Sequence, residues 1–312
     1  MRLVFLGTPA FAVPSLERLA TAGHELALVI TQPDRPSGRG RALAAPPVKQ
    51  AAQRLGIAVA QPERIRRPEA QQMLRDIAPE AMIVVGYGQI IPQSVIDIPR
   101  RGIINVHASL LPRYRGAAPV QWAIINGETH TGVTTMQIDA GLDTGDMLLK
   151  AETEIGPEEN AVELAGRLAL LGAELLVRTL GALEAGTLTR QKQDPALATY
   201  APQLRKEDGR VDWNLPAAAI HNRVRGLQPW PGAYTRFRSH SLHIWRSRLA
   251  EPHAGLGPGD LRRARGLIAG CGGGTALELL EVQLEGRKRI SAEAFANGQR
   301  LTDNDFLGEL ES

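Results

Sequence analysis

A chain of 312 residues is long enough for about two domains at roughly 100–200 residues each. Its composition, 43% hydrophobic and 22% charged, is ordinary for a soluble globular enzyme, and no apolar run approaches the roughly 20 residues that span a bilayer. The net charge of +3 is mild, and a single cysteine, Cys271, argues against a disulfide scaffold or a cysteine-rich metal site and fits a reducing, cytoplasmic setting.

The opening residues, MRLVFLGTPAF, lack a basic n-region and a long apolar core, so they read as a first strand and not as a signal peptide. The apolar run 3–6 ends in Gly7, and helical spacing over 14–22 stops at Gly23. Strands are predicted at 26–31, 57–60, 81–85 and 103–106, and helices at 47–55, 69–77 and 160–185. Short apolar runs separated by helices predict an α/β domain, a Rossmann-like, mostly parallel sheet covered on both faces. Residues 190–205, within the polar stretch 186–205, read as a linker after a first domain at 1–189. Beyond it, 206–312 carries short strand signals at 242–245, 266–269 and 276–282 between Gly and Pro turns, as in a small all-β barrel or sandwich. The last ten residues are acidic and expected to be loosely held.

Gly7 stands where a nucleotide-binding fold places its glycine-rich loop. The text there is Gly7-Thr8-Pro9-Ala10-Phe11-Ala12, with neither G-x-G-x-x-G nor a Walker A lysine. A dinucleotide's pyrophosphate needs that close glycine approach, so a nicotinamide-dependent oxidoreductase is disfavoured.

Asn105 and His107 close an apolar strand. Side chains two apart project to one face, so an amide and an imidazole point together near the carboxyl end of a parallel strand, where open α/β sheets bind ligands. Downstream, Asp139-Ala140-Gly141-Leu142-Asp143-Thr144-Gly145-Asp146 is too rich in glycine and carboxylate for regular structure and predicts a loop. It lacks the ligand spacing and terminal Glu of an EF-hand, and no second histidine sits at zinc spacing. From the residues alone two readings stand, a structural histidine beside an Asp-Gly turn and a reaction centre of Asn105, His107 and Asp143.

The string Asn105-Val106-His107-Ala108-Ser109-Leu110-Leu111-Pro112, with Gly141-Leu142-Asp143-Thr144-Gly145, resembles the signature of folate-dependent formyltransferases. Gly7-Thr8-Pro9, Thr31-Gln32-Pro33-Asp34-Arg35-Pro36, Arg113-Tyr114-Arg115-Gly116-Ala117-Ala118-Pro119 and Pro229-Trp230-Pro231 are similar to the branch that acts on methionyl-tRNA. Ala108 and Ala10 depart from the family's frequent glycine and aspartate, and neither replaces a polar group the chemistry uses. The resemblance implies 10-formyltetrahydrofolate as co-substrate, no metal, initiator methionyl-tRNA as acceptor, and a second domain with an OB-like barrel. It implies Asn105 as oxyanion donor, His107 as acid–base or oxyanion stabiliser, and Asp143 as the group that holds His107. A formyltransferase acting on a sugar nucleotide or purine ribonucleotide would use the same three residues.

By the same resemblance Ser109, Leu110, Leu111 and Pro112 contact folate, and the segment 84–92, with Tyr87 and Gly88, walls the pteridine pocket. Residues 35–49 hold Arg35, Arg39, Arg41 and Lys49 with no acid, and read as a mobile cationic loop placed against a tRNA acceptor stem. Residues 221–248 hold six arginines, Arg223 and Arg225 among them, interleaved with aromatics and without an acid. No membrane and no obligatory protein partner is expected.

Overall fold

The apolar runs of the first half become strands of one sheet: β1 (Arg2–Gly7), β2 (Glu25–Ile30), β3 (Val59–Ala60), β4 (Ala81–Val85), β5 (Ile103–His107), β6 (His130–Gln137) and β7 (Met147–Glu154). Their order across the sheet is β7-β6-β5-β4-β1-β2-β3. Neighbours from β3 through β5 run parallel, and β6 turns antiparallel against β5. The computed structural model describes residues 1–37, 42–302 and 305–308. It divides into two units, one of 1–119, 131–153 and 165–201, the other of 120–130, 154–164 and 202–312.

Five helices of the first half are α1 (Val13–Thr21), α2 (Pro47–Arg54), α3 (Pro68–Ile77), α4 (Gln93–Ile96) and α5 (Pro119–Ile125), followed by the long α6 (Ala161–Ala185). Strand alternation sends Val4, Leu6, Met82, Val84 and Ile103 into one core with Leu74 of α3. Val106 and Val133 face the other way. There a Cβ on Gly172 of α6 would lie 2.8 Å from Val106 Cγ1 and 3.3 Å from Val133 Cγ1, so the missing side chain lets the helix close on β5 and β6.

Three features differ from the sequence reading. The strands β6 and β7 were not predicted. β6, HTGVTTMQ, is buried at all six residues 131–136, and Thr134 and Thr135 satisfy their hydroxyls on Ser109 and Thr179, so polar residues on both faces hide the alternation. Most of the stretch 186–205, up to Ala201, belongs to the first unit: Gln191 and Met147 exchange backbone hydrogen bonds of 2.9 and 2.8 Å, and Tyr200–Ala201 pairs with Arg115–Gly116. Tyr87, expected in a pteridine pocket, turns inward instead and is 1% exposed within the Val4–Leu6–Met82 core. Its backbone carbonyl accepts from Thr8 Oγ1 at 3.0 Å and Gln32 Nε2 at 3.2 Å.

The second unit holds β8 (Ala233–Phe237), β9 (His240–Ala250), β10 (Leu261–Arg263), β11 (Leu267–Gly270), β12 (Ala276–Leu284) and β13 (Ile290–Ser291). The order is β8-β9-β12-β11-β10, with β13 on β12, and the described pairings leave β8 and β10 as edges. Two helices, α7 (Ala217–Gly226) and α8 (Ala292–Gln299), bury Ile220, Val224 and Phe295 against the sheet. Cys271 is buried in that core, and burial pushes its thiol up to about 12. Of the acidic tail, Phe306 and Leu307 form bridges to Asp260 and Phe237, and 303, 304 and 309–312 lie outside the described residues.

The Tyr87 hydroxyl is buried with no hydrogen-bond partner, and burial pushes its pKa up to about 12. Tyr87→Phe should therefore leave stability unchanged or raise it by about 1 kcal/mol. It should also leave the KM for a folate donor unchanged. A lower urea midpoint or a raised KM would show that the hydroxyl has a partner.

Candidate active site

β5 is held on both sides. Val84 of β4 stands opposite Asn105, and on the other side Met136 and Thr134 of β6 stand opposite Asn105 and His107. Asn105 and His107 thus share the face of Ile103 and are 9% and 6% exposed. Among the described residues the Asn105 side chain makes no hydrogen bond, and its amide is not among the fully enclosed polar groups, so it is open to solvent or a ligand. His107 Nε2 lies 2.9 Å from the Tyr114 carbonyl, which can only accept, so Nε2 carries a hydrogen. Nδ1 faces Asp143, 3.7 Å from Oδ2.

Asp143 sits in the loop between β6 and β7 with φ of 52°, a left-handed conformation that Asp tolerates better than most residues. Its Oδ2 accepts from Gly116 N at 2.8 Å. Within the loop, Asp139 takes the Gly141 amide at 3.1 Å and the Thr144 hydroxyl at 2.7 Å. A Cβ on Gly145 would collide with the Gln137 carbonyl, so the glycine lets the loop close. Among the described residues no group of three or more His, Cys, Asp and Glu side chains is arranged to hold a metal ion.

The turn after His107 is set by Thr134. Its hydroxyl donates to the Ser109 carbonyl at 2.7 Å and accepts from Leu111 N at 3.1 Å. Ser109 Oγ donates to the Arg113 carbonyl at 2.6 Å, and Lys150 Nζ donates to the Leu111 carbonyl at 2.6 Å. Burial lowers the Lys150 pKa. Leu111 is buried with Met136 and Met147, whereas Leu110 and Pro112, joined to Leu111 by a cis peptide, are half-buried. Gly88 is exposed with φ of 82°, and Ile90 beside it is 92% exposed.

Residues missed from sequence lie behind this centre. Arg115, 5% exposed, donates through Nε and Nη2 to Gln193 Oε1 at 3.0 and 2.7 Å. Gln193 Nε2 in turn donates to the carbonyls of Asp143 and Gly145, both at 2.8 Å. A lone glutamine in a polar stretch carries no sequence signal of such a role.

The cationic residues divide. Arg35–Ser37 and Ala42–Ala44 pair as a two-stranded ribbon, and Arg39 and Arg41 lie outside the described residues. Lys49 stands on α2 and is bound to Asp34 at 2.7 Å and Gln61 at 2.7 Å, so its charge is already countered. Arg223 donates to the Asp208 carbonyl at 2.8 Å. Arg225 corrects the expectation of a phosphate contact. It is 7% exposed, and its guanidinium donates to the Gly156 and Glu159 carbonyls at 3.0 and 2.8 Å, so it serves the fold. Arg238, Arg246 and Arg248 pair with Asp305, Glu281 and Glu278. Trp230 is 55% exposed, whereas Phe237 is buried edge-on against Phe295 at 5.0 Å.

Comparison with known proteins follows this geometry. The formyl transferase family matches residues 1–180, and the formyl transferase C-terminal domain matches 203–300. The methionyl-tRNA formyltransferase of Solibacter usitatus is 68% identical over 309 residues, 99% of each chain. That of Koribacter versatilis is 58% identical over the full length of both chains. Among solved structures, a sugar 3N-formyl transferase, WlaRD, in the presence of dTDP and 5-N-formyl-THF, superposes with a TM-score of 0.69 at 19% identity, covering 92% of this chain and 99% of that one. HypX from Aquifex aeolicus in complex with tetrahydrofolic acid superposes at 0.62 with 16% identity, covering 100% of this chain and 51% of that one. Structural likeness at such identity speaks to the fold, whereas the full-length sequence relatives speak to descent, and on that ground the chain belongs to the methionyl-tRNA formyltransferase family.

Proposed function

We propose that Asn105, His107 and Asp143 are the reaction centre of a formyl transfer from 10-formyltetrahydrofolate to the α-amino group of methionine carried on initiator tRNA, yielding N-formylmethionyl-tRNA for the start of translation. The observation that carries this is the placement of the Asn105 amide, with no protein partner among the described residues, two residues along one strand face from His107, whose Nδ1 is 3.7 Å from Asp143.

The amine attacks the formyl carbon, a C–N bond forms, and the carbonyl oxygen becomes an oxyanion. Asn105 donates to that oxygen, a contact worth about 2.7–4 kcal/mol of barrier. Because Nε2 of His107 is committed to the Tyr114 carbonyl, Nδ1 is the nitrogen that exchanges a proton. The Nδ1–Asp143 pair takes the proton released by the attacking amine and returns it to N10 as the C–N10 bond breaks. No net proton is gained or lost. Asp143 also holds His107 as imidazolium beside the oxyanion, so both roles run through one atom. Ser109, Leu110, Leu111, Pro112 and the exposed Gly88 edge are assigned to the folate, with Leu110, Pro112 and Ile90 offering apolar surface to a flat ring.

The acceptor is read by Arg35, Arg39, Arg41 and Arg223, with Arg39 leading. Support comes from the basic text at 35–41, flanked by the ribbon Arg35–Ser37 and Ala42–Ala44. In this reading 1–189 carries the transfer, 190–205 joins, and 206–312 binds tRNA. The gap between the family matches, which end at 180 and resume at 203, supports that division. The second unit is proposed to close as an OB-like barrel, supported by the bridges from Phe306 and Leu307 to Asp260 and Phe237.

The test is to mix protein, 10-formyltetrahydrofolate and charged initiator tRNA and to quantify N-formylmethionine, with uncharged tRNA and free methionine as controls. Asn105→Ala should lower kcat by about 100- to 1,000-fold. His107→Ala and Asp143→Asn should also lower kcat by orders of magnitude, with thermal midpoints near the parent's. Near-normal turnover in any of the three would remove that residue from the centre.

The KM for tRNA should rise steeply with salt, by about 40- to 150-fold between ~50 and ~200 mM for three or four phosphate contacts. A flat profile over that range would count against the arginine interface.

A further inference from the structure

We propose that Gln193, backed by Arg115, is a positioning residue for formyl transfer. Its amide clamps the loop that carries Asp143, and so sets where the Asp143 carboxylate stands against His107. The proposal rests on the reading of Asp143 given above.

Gln193 is 9% exposed and both ends of its amide are in use. Oε1 receives two hydrogen bonds from the Arg115 guanidinium, at 3.0 Å from Nε and 2.7 Å from Nη2. Nε2 gives two, to the Asp143 and Gly145 carbonyls, each at 2.8 Å. The planar amide therefore fixes two points of the loop, on either side of Thr144. Charge on the guanidinium strengthens the acceptor side and polarises the amide so that its donors strengthen too. Arg115 is itself anchored, with its backbone N–H on the Thr199 carbonyl at 2.8 Å and its strand paired to Tyr200–Ala201. The next residue, Gly116, donates its N–H to Asp143 Oδ2. One short segment, 115–116, thus holds the backbone of Asp143 through Gln193 and the carboxylate directly.

The need for a clamp follows from the loop's conformation. Asp143 is left-handed, at φ of 52°, and a non-glycine residue holds such a conformation where its surroundings over-determine it. A rotation there would move the carboxylate, and an error of about 1 Å in a reacting group costs about 100-fold in rate.

Gln193→Glu separates the two ends of the amide. A carboxylate keeps Arg115 partnered but sets an acceptor against the Asp143 and Gly145 carbonyls. The expected result is a fall in kcat of about 10- to 100-fold, with KM for methionyl-tRNA and the thermal midpoint close to the parent's. The deciding measurement is a double-mutant cycle with Asp143→Asn. If Gln193 acts through Asp143, Gln193→Glu should have little further effect in the Asp143→Asn background, because residues acting as a unit are not additive. Equal fold-losses in both backgrounds, or an unchanged kcat, overturn the proposal. A near-normal Asp143→Asn enzyme instead overturns the assignment of Asp143, and the two failures are told apart by that single variant. Should Gln193→Glu not fold, Arg115→Met with Gln193→Leu removes charge and partner together and enters the same cycle. Failure of both to fold makes the pair a folding element and overturns the proposal.

Discussion

The hydrogen-bonded ladder on both edges of the strand Ile103–His107 is the constraint on which the site depends. Parallel pairing to one neighbour and antiparallel pairing to the other leave the strand no freedom to slip. A slip of one residue would exchange the two faces. Asn105 and His107 would then meet Gly172 and the long helix, and Val106 would face the ligand. The close approach at Gly172 removes the space in which that exchange could happen. The position of the amide and imidazole is therefore a property of the sheet and not of a loop.

Around that fixed strand, several polar groups of the turn and the loop are tied down by the protein. Thr134, Ser109, Tyr114 and Gly116 each spend their hydrogen bonds inside the protein, which stiffens the turn after His107 and the approach to Asp143. The Asn105 amide has no such partner among the described residues and stays open beside His107.

Much of the first unit was legible because buried parallel strands are short apolar runs and need no context. The strand 81–85 was read to the residue, and 103–106 was one residue short. The strand 130–137 was missed because threonines buried on both faces, bonded to backbone and to Thr179 of the long helix, erase the period-two pattern; its partner 147–154 does alternate in burial, but its outer half is charged and was not read as a strand. The candidate centre was legible from motif spacing, since the strand period alone places Asn105 and His107 together. Cationic function was read less well. Counting arginines and lysines registers charge but not partners, and Arg225 and Lys49 meet carbonyls and a carboxylate brought near only by folding. Tyr87 misled for a related reason, because a residue beside two exposed glycines can still turn its ring into the core. Gln193 was illegible, since its partners lie 78 and 50 positions away along the chain.

The return of residues 191–201 to the first unit bears on how such chains exchange their halves. Strand pairing at Tyr200–Ala201 and the bridge of Gln191 to Met147 make this stretch part of the first unit, although it reads as a connector. A recombination junction near 185, just after the long helix, would carry away the strap that backs Asp143 and hand the incoming partner the task of replacing it. A junction after 201 would leave the strap with the site. Exchange of the second unit is thus permitted at one end of the apparent connector and penalised at the other.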